Sequence, residues 1–148
     1  MSANRIQLDG DGWRLDEALA AEEIYPGHII QKNSDGEYKK HDSEGDYGLV
    51  IVAAEDALQG NTIDDAYSAD DLVQAHILQP GTRFQGMLKS GEDVSIGEAL
   101  ISDGEGRLIA KSSAASDGAV KKIMAYAEEA QDLTGSGASD TLTVCRAG

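Results

Sequence analysis

Apolar residues in this chain come in short bursts that mostly alternate with polar ones, and the bursts stop at small clusters of Gly with Asp, Glu, Ser or Asn. Ser34-Asp-Gly36, Glu44-Gly-Asp46, Ser90-Gly-Glu92, Asp103-Gly-Glu-Gly106 and Thr134-Gly-Ser-Gly137 are the clearest of these breaks. Such a rhythm, with β-branched residues between the breaks, predicts short strands joined by tight turns. Residues 28–33 and 37–41 flank Ser34-Asp35-Gly36 and read as a hairpin in which Gly supplies the positive φ. Residues 47–54 become continuously apolar and belong at the centre of a sheet or barrel. Residues 72–78 and 82–88, separated by Gln79-Pro80-Gly81, read as a second hairpin. Residues 99–102 and 107–111 bracket the Asp103 turn, and residues 141–145 alternate at the end. Seven to nine short strands result, which predicts a mostly β fold, a small barrel or a sandwich.

Two segments resist. Residues 15–23 hold good helix formers and few β-branched residues, so a short helical turn is expected there, on an N-terminal arm of residues 1–23 that precedes a barrel domain of residues 24–148. Residues 119–130 place Val120, Ile123, Met124 and Ala127 at helical spacing. The Gly-Ser stretch and the alternating strand that follow argue instead for a long hairpin, with Ile123 and Ala125 on one face. Residues 61–67 suit a turn of helix. Residues 134–140, polar and without an apolar anchor, suit a mobile loop.

Composition narrows the function. The 148 residues include 27 Asp+Glu against 12 Lys+Arg, a formal net charge of -15. No basic run is denser than Lys39-Lys40 or Lys121-Lys122, so no face is built to displace phosphate counterions and nucleic acid is not an expected partner. The longest apolar run, residues 49–54, is far short of the ~20 residues that cross a bilayer, so no membrane span is expected. The N-terminal residues show no secretory pattern, which places the chain in the cytoplasm or in something assembled there. The single Cys145 excludes an internal disulfide. The acidity itself suits either an ordinary solvated surface or adaptation to high salt, where seven Lys and an excess of Asp over Glu are in keeping.

Candidate chemistry is thin. His28, His41 and His76 fall in no metal-binding spacing and are expected to be hydrogen-bonded structural residues. Cys145 and the serines lack nucleophile surroundings. Asp9-Gly-Asp-Gly12 and Asp103-Gly-Glu-Gly106 invite a calcium reading, yet the EF-hand loop fails because Ala20 stands where its last ligand belongs. No phosphate loop or dinucleotide fingerprint occurs, so neither catalytic residues nor a metal nor a cofactor is expected. What remains is surface. Trp13, with Ile6, Leu8, Leu15 and Leu19 on the arm, can serve as a docking anchor, or Trp13 can simply cap the barrel.

Ile24-Tyr-Pro-Gly-His-Ile-Ile30, Tyr47-Gly-Leu-Val-Ile-Val-Ala-Ala-Glu-Asp-Ala-Leu-Gln-Gly60, Ile63-Asp-Asp-Ala-Tyr67 and Asp71-Leu-Val-Gln-Ala-His-Ile-Leu-Gln-Pro-Gly81 together resemble the small capsid decoration, or cement, proteins of tailed viruses. Ile96-Gly97 and Leu100 resemble that family's later turn, and the similar features run from about Ile24 to Lys111. The resemblance implies a β-barrel or β-tulip-like domain on the outer capsid surface of a virion assembled in the host cytoplasm. It further implies a homo-oligomer, a trimer, that bridges neighbouring subunits of the major capsid protein, with residues 119–130 paired as a strand against residues 141–145. On this reading Trp13, Leu15, Ile24 and Tyr25 face the shell or a sister subunit, residues 134–140 face solvent, and the protein is not an enzyme. The alternative is a non-catalytic ligand-binding module, for example for glycans, in which Trp13, Tyr25, Tyr38, Tyr47 and Tyr67 supply stacking surface. An enzyme built on His76 or Asp70-Asp71 ranks last, since no pair of residues has interpretable spacing.

Overall fold

The computed structural model describes residues 3–9 and 14–148. Its strands are β1 (Arg14–Leu19), β2 (Ile30–Lys32), β3 (Tyr38–Lys40), β4 (Ile51–Ala53), β5 (Leu72–Ile77), β6 (Arg83–Leu88), β7 (Asp93–Val94), β8 (Ala99–Ser102), β9 (Leu108–Ala110), β10 (Ala125–Ala127), β11 (Gln131–Asp132) and β12 (Thr141–Ala147). The only helical turns among the described residues are short 3-10 segments at Ala57–Gln59 and Lys111–Ser113. The mostly β barrel expected from the turn rhythm is therefore the architecture, with more and shorter strands than the sequence suggested.

Five strands close a barrel in the order β10-β12-β6-β9-β8, and β1-β5-β4 form a separate three-stranded sheet. The pairs β2-β3 and β7-β11 complete the molecule. Barrel closure removes free edges from the larger unit. Its interior is filled by Phe84, Leu88, Leu100, Leu108, Met124 and Cys145, all without solvent exposure. Thr143, Cys145 and Ala147 point inward from β12 while their neighbours stay partly exposed, the period of two that the alternating sequence predicts. A second core of Ala20, Ile24, Ile30, Tyr38, Ala53, Tyr67, Val73 and Ala75 lies under the three-stranded sheet. The two cores meet across one stretch of backbone. Ile29 and Val52 point into the barrel core while their neighbours Ile30 and Ala53 point into the other, and Ile29 bridges Val52 directly.

Several expectations are corrected. Residues 15–19 form strand rather than helix: β1 pairs antiparallel with β5 over its whole length, Leu15 opposite His76 and Leu19 opposite Leu72. Alternation of Leu15, Glu17 and Leu19 with Asp16, Ala18 and Ala20 matches a two-sided sheet, and that pairing overrides local helix propensity. β5 and β6 are strands, but they do not pair with each other. β5 lies between β1 and β4, whereas β6 lies between β12 and β9, so Pro80-Gly81 carries the chain from one sheet to another. Residues 61–67 hold no helical turn, and the nearest one is Ala57–Gln59. In the 119–130 segment the strand reading holds for Ala125–Ala127, which pair with residues 145–147 rather than with the start of β12. Residues 134–140 do have an anchor: Ala138 packs on the barrel core and the Asp140 carboxylate accepts the Ser90 N–H at 2.8 Å.

Residues 3–9 of the arm are strapped to the barrel. The buried Gln85 side chain donates to the carbonyls of Ala3 and Arg5, both at 2.7 Å, the Gln85 N–H donates to Ile6 O, and Ile6 is fully buried.

Candidate interaction surface

The four residues that the resemblance placed at a contact have different fates. Trp13 lies outside the described residues. Ile24 is fully buried in the second core and its backbone bridges Tyr67, so it has no surface to offer and is corrected to a packing residue. Leu15 and Tyr25 are exposed, at 50% and 40%.

Tyr25 stands on the rim of a hollow of about 380 Å³ lined by Glu23, His28, Lys40, Met87, Arg107 and Asp140. Its charges are largely neutralised within the chain. Arg107 holds Asp103 at 2.8 Å and Asp140 at 3.3 Å and also pairs with Glu105. Asp103 accepts the Glu105 and Arg107 backbone N–H groups as well, so the Asp103-Gly-Glu-Gly106 acids that suggested calcium form a turn folded around a guanidinium, while residues 10–12 of the Asp9 motif lie outside the described residues. Among the described residues no cluster of three His, Cys, Asp or Glu side chains is placed to hold a metal. His28 Nδ1 accepts the Tyr25 N–H at 3.1 Å, and burial, helped by the charge of Lys40, lowers its pKa to about 4, so the ring is neutral at pH 7.

One pairing escaped the sequence reading. His41 Nδ1 and Ser102 Oγ, distant in sequence, lie 2.8 Å apart. A Ser-His contact suggests nucleophilic catalysis, but Ser102 is fully buried and His41 nearly so, and Ser102 Oγ also accepts the Gly104 N–H. No substrate can reach that hydroxyl, and the pair ties β8 to the end of the β3 hairpin. His76 lies five residues along extended β5 from Asp71, roughly 16 Å at strand rise, so the two do not converge. Asp71 instead caps the Ser68 N–H at 2.8 Å.

The tyrosines do not assemble a stacking platform. Tyr38 and Tyr67 are buried and donate their hydroxyls to Asp16 (2.6 Å) and to Ala54 O (2.7 Å). Tyr47 lines a groove different from that of Tyr25, an apolar cleft of about 420 Å³ between the β2-β3 hairpin and the three-stranded sheet, with Leu49, Ile51 and Ile77.

Another exposed apolar surface follows β1. Leu15, Glu17 and Leu19 project to one side of the sheet, with Leu72 on β5 opposite Leu19 and also exposed. A wider groove of about 600 Å³ continues from them, lined by Glu17, Asp56, Leu58, Asp71 and Leu72 among others. Leu58, at 87% exposure, stands on its rim.

No protein-family model matches the sequence, and no curated protein matches it. Among solved structures, the chain is similar to the N base of head fiber gp8.5 of bacteriophage phi29, with a TM-score of 0.56. That likeness spans 93% of this chain and 95% of the other at 14% identity. It is a likeness of fold. At that identity the sequences share a backbone path and little side-chain detail, which agrees with a fold set by turn rhythm and strand alternation.

Proposed function

We propose that this chain is a virion structural protein that sits on the capsid exterior. The observation that carries the reading is the similarity in fold, over nearly the whole of both chains, to the base of a phage head fiber. The resemblance of residues 24–111 to capsid decoration proteins supports it independently, as do exposed apolar side chains on a small, strongly acidic barrel. In this role the protein does no bond chemistry. It bridges neighbouring subunits of the major capsid protein, as a trimer, and stabilises the head by mass action, because a partner bound only to the assembled shell shifts the equilibrium toward it. Leu15, Tyr25 and Trp13 are the contact residues.

The test is to purify heads made with and without the gene, locate added density by electron microscopy, and heat both preparations. Density on the outer surface and a higher temperature of head disruption are expected. Heads that never retain the chain would overturn the proposal. Light scattering on the purified chain reads the trimer separately.

A further inference from the structure

We propose that the groove over the outer face of β5 receives an arginine side chain of a partner protein, with Gln74 at its floor and Glu17 and Asp56 on its walls. Strand alternation sets the floor. Val73 and Ala75 point into the second core, so Gln74 between them turns to the opposite face of the sheet, where Glu17 lies directly across from it on β1. Gln74 is only 8% exposed and lines the groove. Its main chain is fully used, since the N–H donates to Tyr67 Oη at 3.3 Å and the carbonyl accepts the Ala54 N–H at 2.8 Å. Its side-chain amide makes no hydrogen bond among the described residues. An amide so nearly buried and unpaired holds out an acceptor and two donors that a ligand can satisfy.

The walls choose the charge of that ligand. Among the described residues neither the Glu17 nor the Asp56 carboxylate takes a hydrogen bond or an ion pair, although Asp56 stands at the start of the Ala57–Gln59 turn, where a capping bond would be ordinary. Asp71, also in the lining, is by contrast committed to the Ser68 N–H. The described lining holds no Lys or Arg, and the sequence has none between Lys40 and Arg83. One amide oxygen and two carboxylates thus await donors. The group that answers several acceptors at once is a guanidinium, which carries five N–H donors in one plane and sheds water more readily than an ammonium. Leu58 and Leu72, both exposed in the same lining, give the aliphatic stem of an arginine an apolar rest.

Charge also separates the possible owners of that arginine. A second copy would bring a net charge of -15 against an equal one, and its Arg83, Arg107 and Arg146 are held by its own carboxylates. A different protein meets neither obstacle. The proposal deepens the attachment reading above, resting on it only for the statement that the partner is another virion protein.

The test uses the full chain, isotopically labelled, and the peptide acetyl-Ser-Leu-Arg-Leu-Ser-amide, with lysine and citrulline analogues at the central position. Nuclear magnetic resonance titration should shift the Gln74 side-chain amide and the backbone amides of Glu17 and Leu58. Citrulline keeps the shape and loses the charge, and should bind about tenfold more weakly; lysine keeps the charge and loses the planar fork, and should bind about threefold more weakly. Glu17→Gln, a change on an exposed side chain, should weaken binding about fivefold and Gln74→Met about threefold, while Asp93→Asn, an equal charge change on exposed β7, should leave it within about twofold. Equal binding by the three peptides, or shifts scattered over the acidic surface, would mean generic charge attraction and overturn the proposal. Shifts at the same residues on concentrating the chain alone would give the groove to a second copy and overturn it too. Heads that retain the Glu17→Gln, Gln74→Met double variant as fully as the parent chain overturn the groove and leave the attachment reading standing. Arginine-selective binding by a chain that heads never retain does the reverse.

Discussion

At the scale of single residues, burial decides more than charge does. His28 is held neutral in the folded chain with a pKa of about 4, against about 6.5 when unfolded. Between those values the unfolded chain binds the extra proton, so stability is complete above pH 6.5 and falls as pH drops toward 4, by up to about 3 kcal/mol from this group. Burial lowers the pKa of His41 and His76 as well, so they add to the same trend. Replacing His28 by Asn, whose Oδ1 can still accept the Tyr25 N–H, should flatten the slope of urea-unfolding free energy between pH 4 and 6.5. A slope unchanged from the parent would show that another group governs it. Arg107 is the counterpart among cations. Removing it in Arg107→Met strands the nearly buried Asp103 carboxylate and should cost about 2 kcal/mol in the same assay. Gly27 tolerates no side chain. Its φ is +96°, and a Cβ there would run into Leu142 Cδ2, so Gly27→Ala should cost about 2 kcal/mol or more.

At the scale of elements, what was legible in the sequence is what is local. The Ser34-Asp35-Gly36 and Asp103-Gly106 turns join strands that pair with each other, β2 with β3 and β8 with β9, and both hairpins can be read from a few residues. β1 could not be read this way, because its partner β5 lies more than fifty residues on and only that pairing makes a strand of helix-forming residues. The β5-β6 link was misread for the converse reason: Pro80-Gly81 announces a turn but says nothing about which sheet the chain enters next. The histidines were rightly expected to be structural in the cases of His28 and His41, yet the Ser102 partner of His41 was invisible at a separation of 61 residues. Hydrogen exchange tests the strand assignment at β1. The amides of Ala18 and Ala20, which face β5, should exchange slowly, and those of Leu15 and Glu17, on the side of β1 away from β5, quickly. Equal protection at all four would mean that the edge is covered.

At the scale of the whole molecule, a net charge of -15 on 148 residues opposes compaction, and added salt screens that repulsion. The thermal midpoint should rise steadily as sodium chloride is raised from a few millimolar to half molar; a flat response would mean that the acids are already compensated by their own ion pairs. The barrel keeps its lone thiol out of reach. Cys145 is fully buried and its pKa is pushed up to about 12 by burial, so a thiol reagent should label it only after unfolding, at a rate that follows global opening. Ile29 with Ile30, and Val52 with Ala53, give the molecule a seam stitched from both sides, because each adjacent pair sends one side chain to either core. Loosening one core drags the thread out of the other, so calorimetric and van't Hoff enthalpies should coincide and the two halves should melt together rather than in turn.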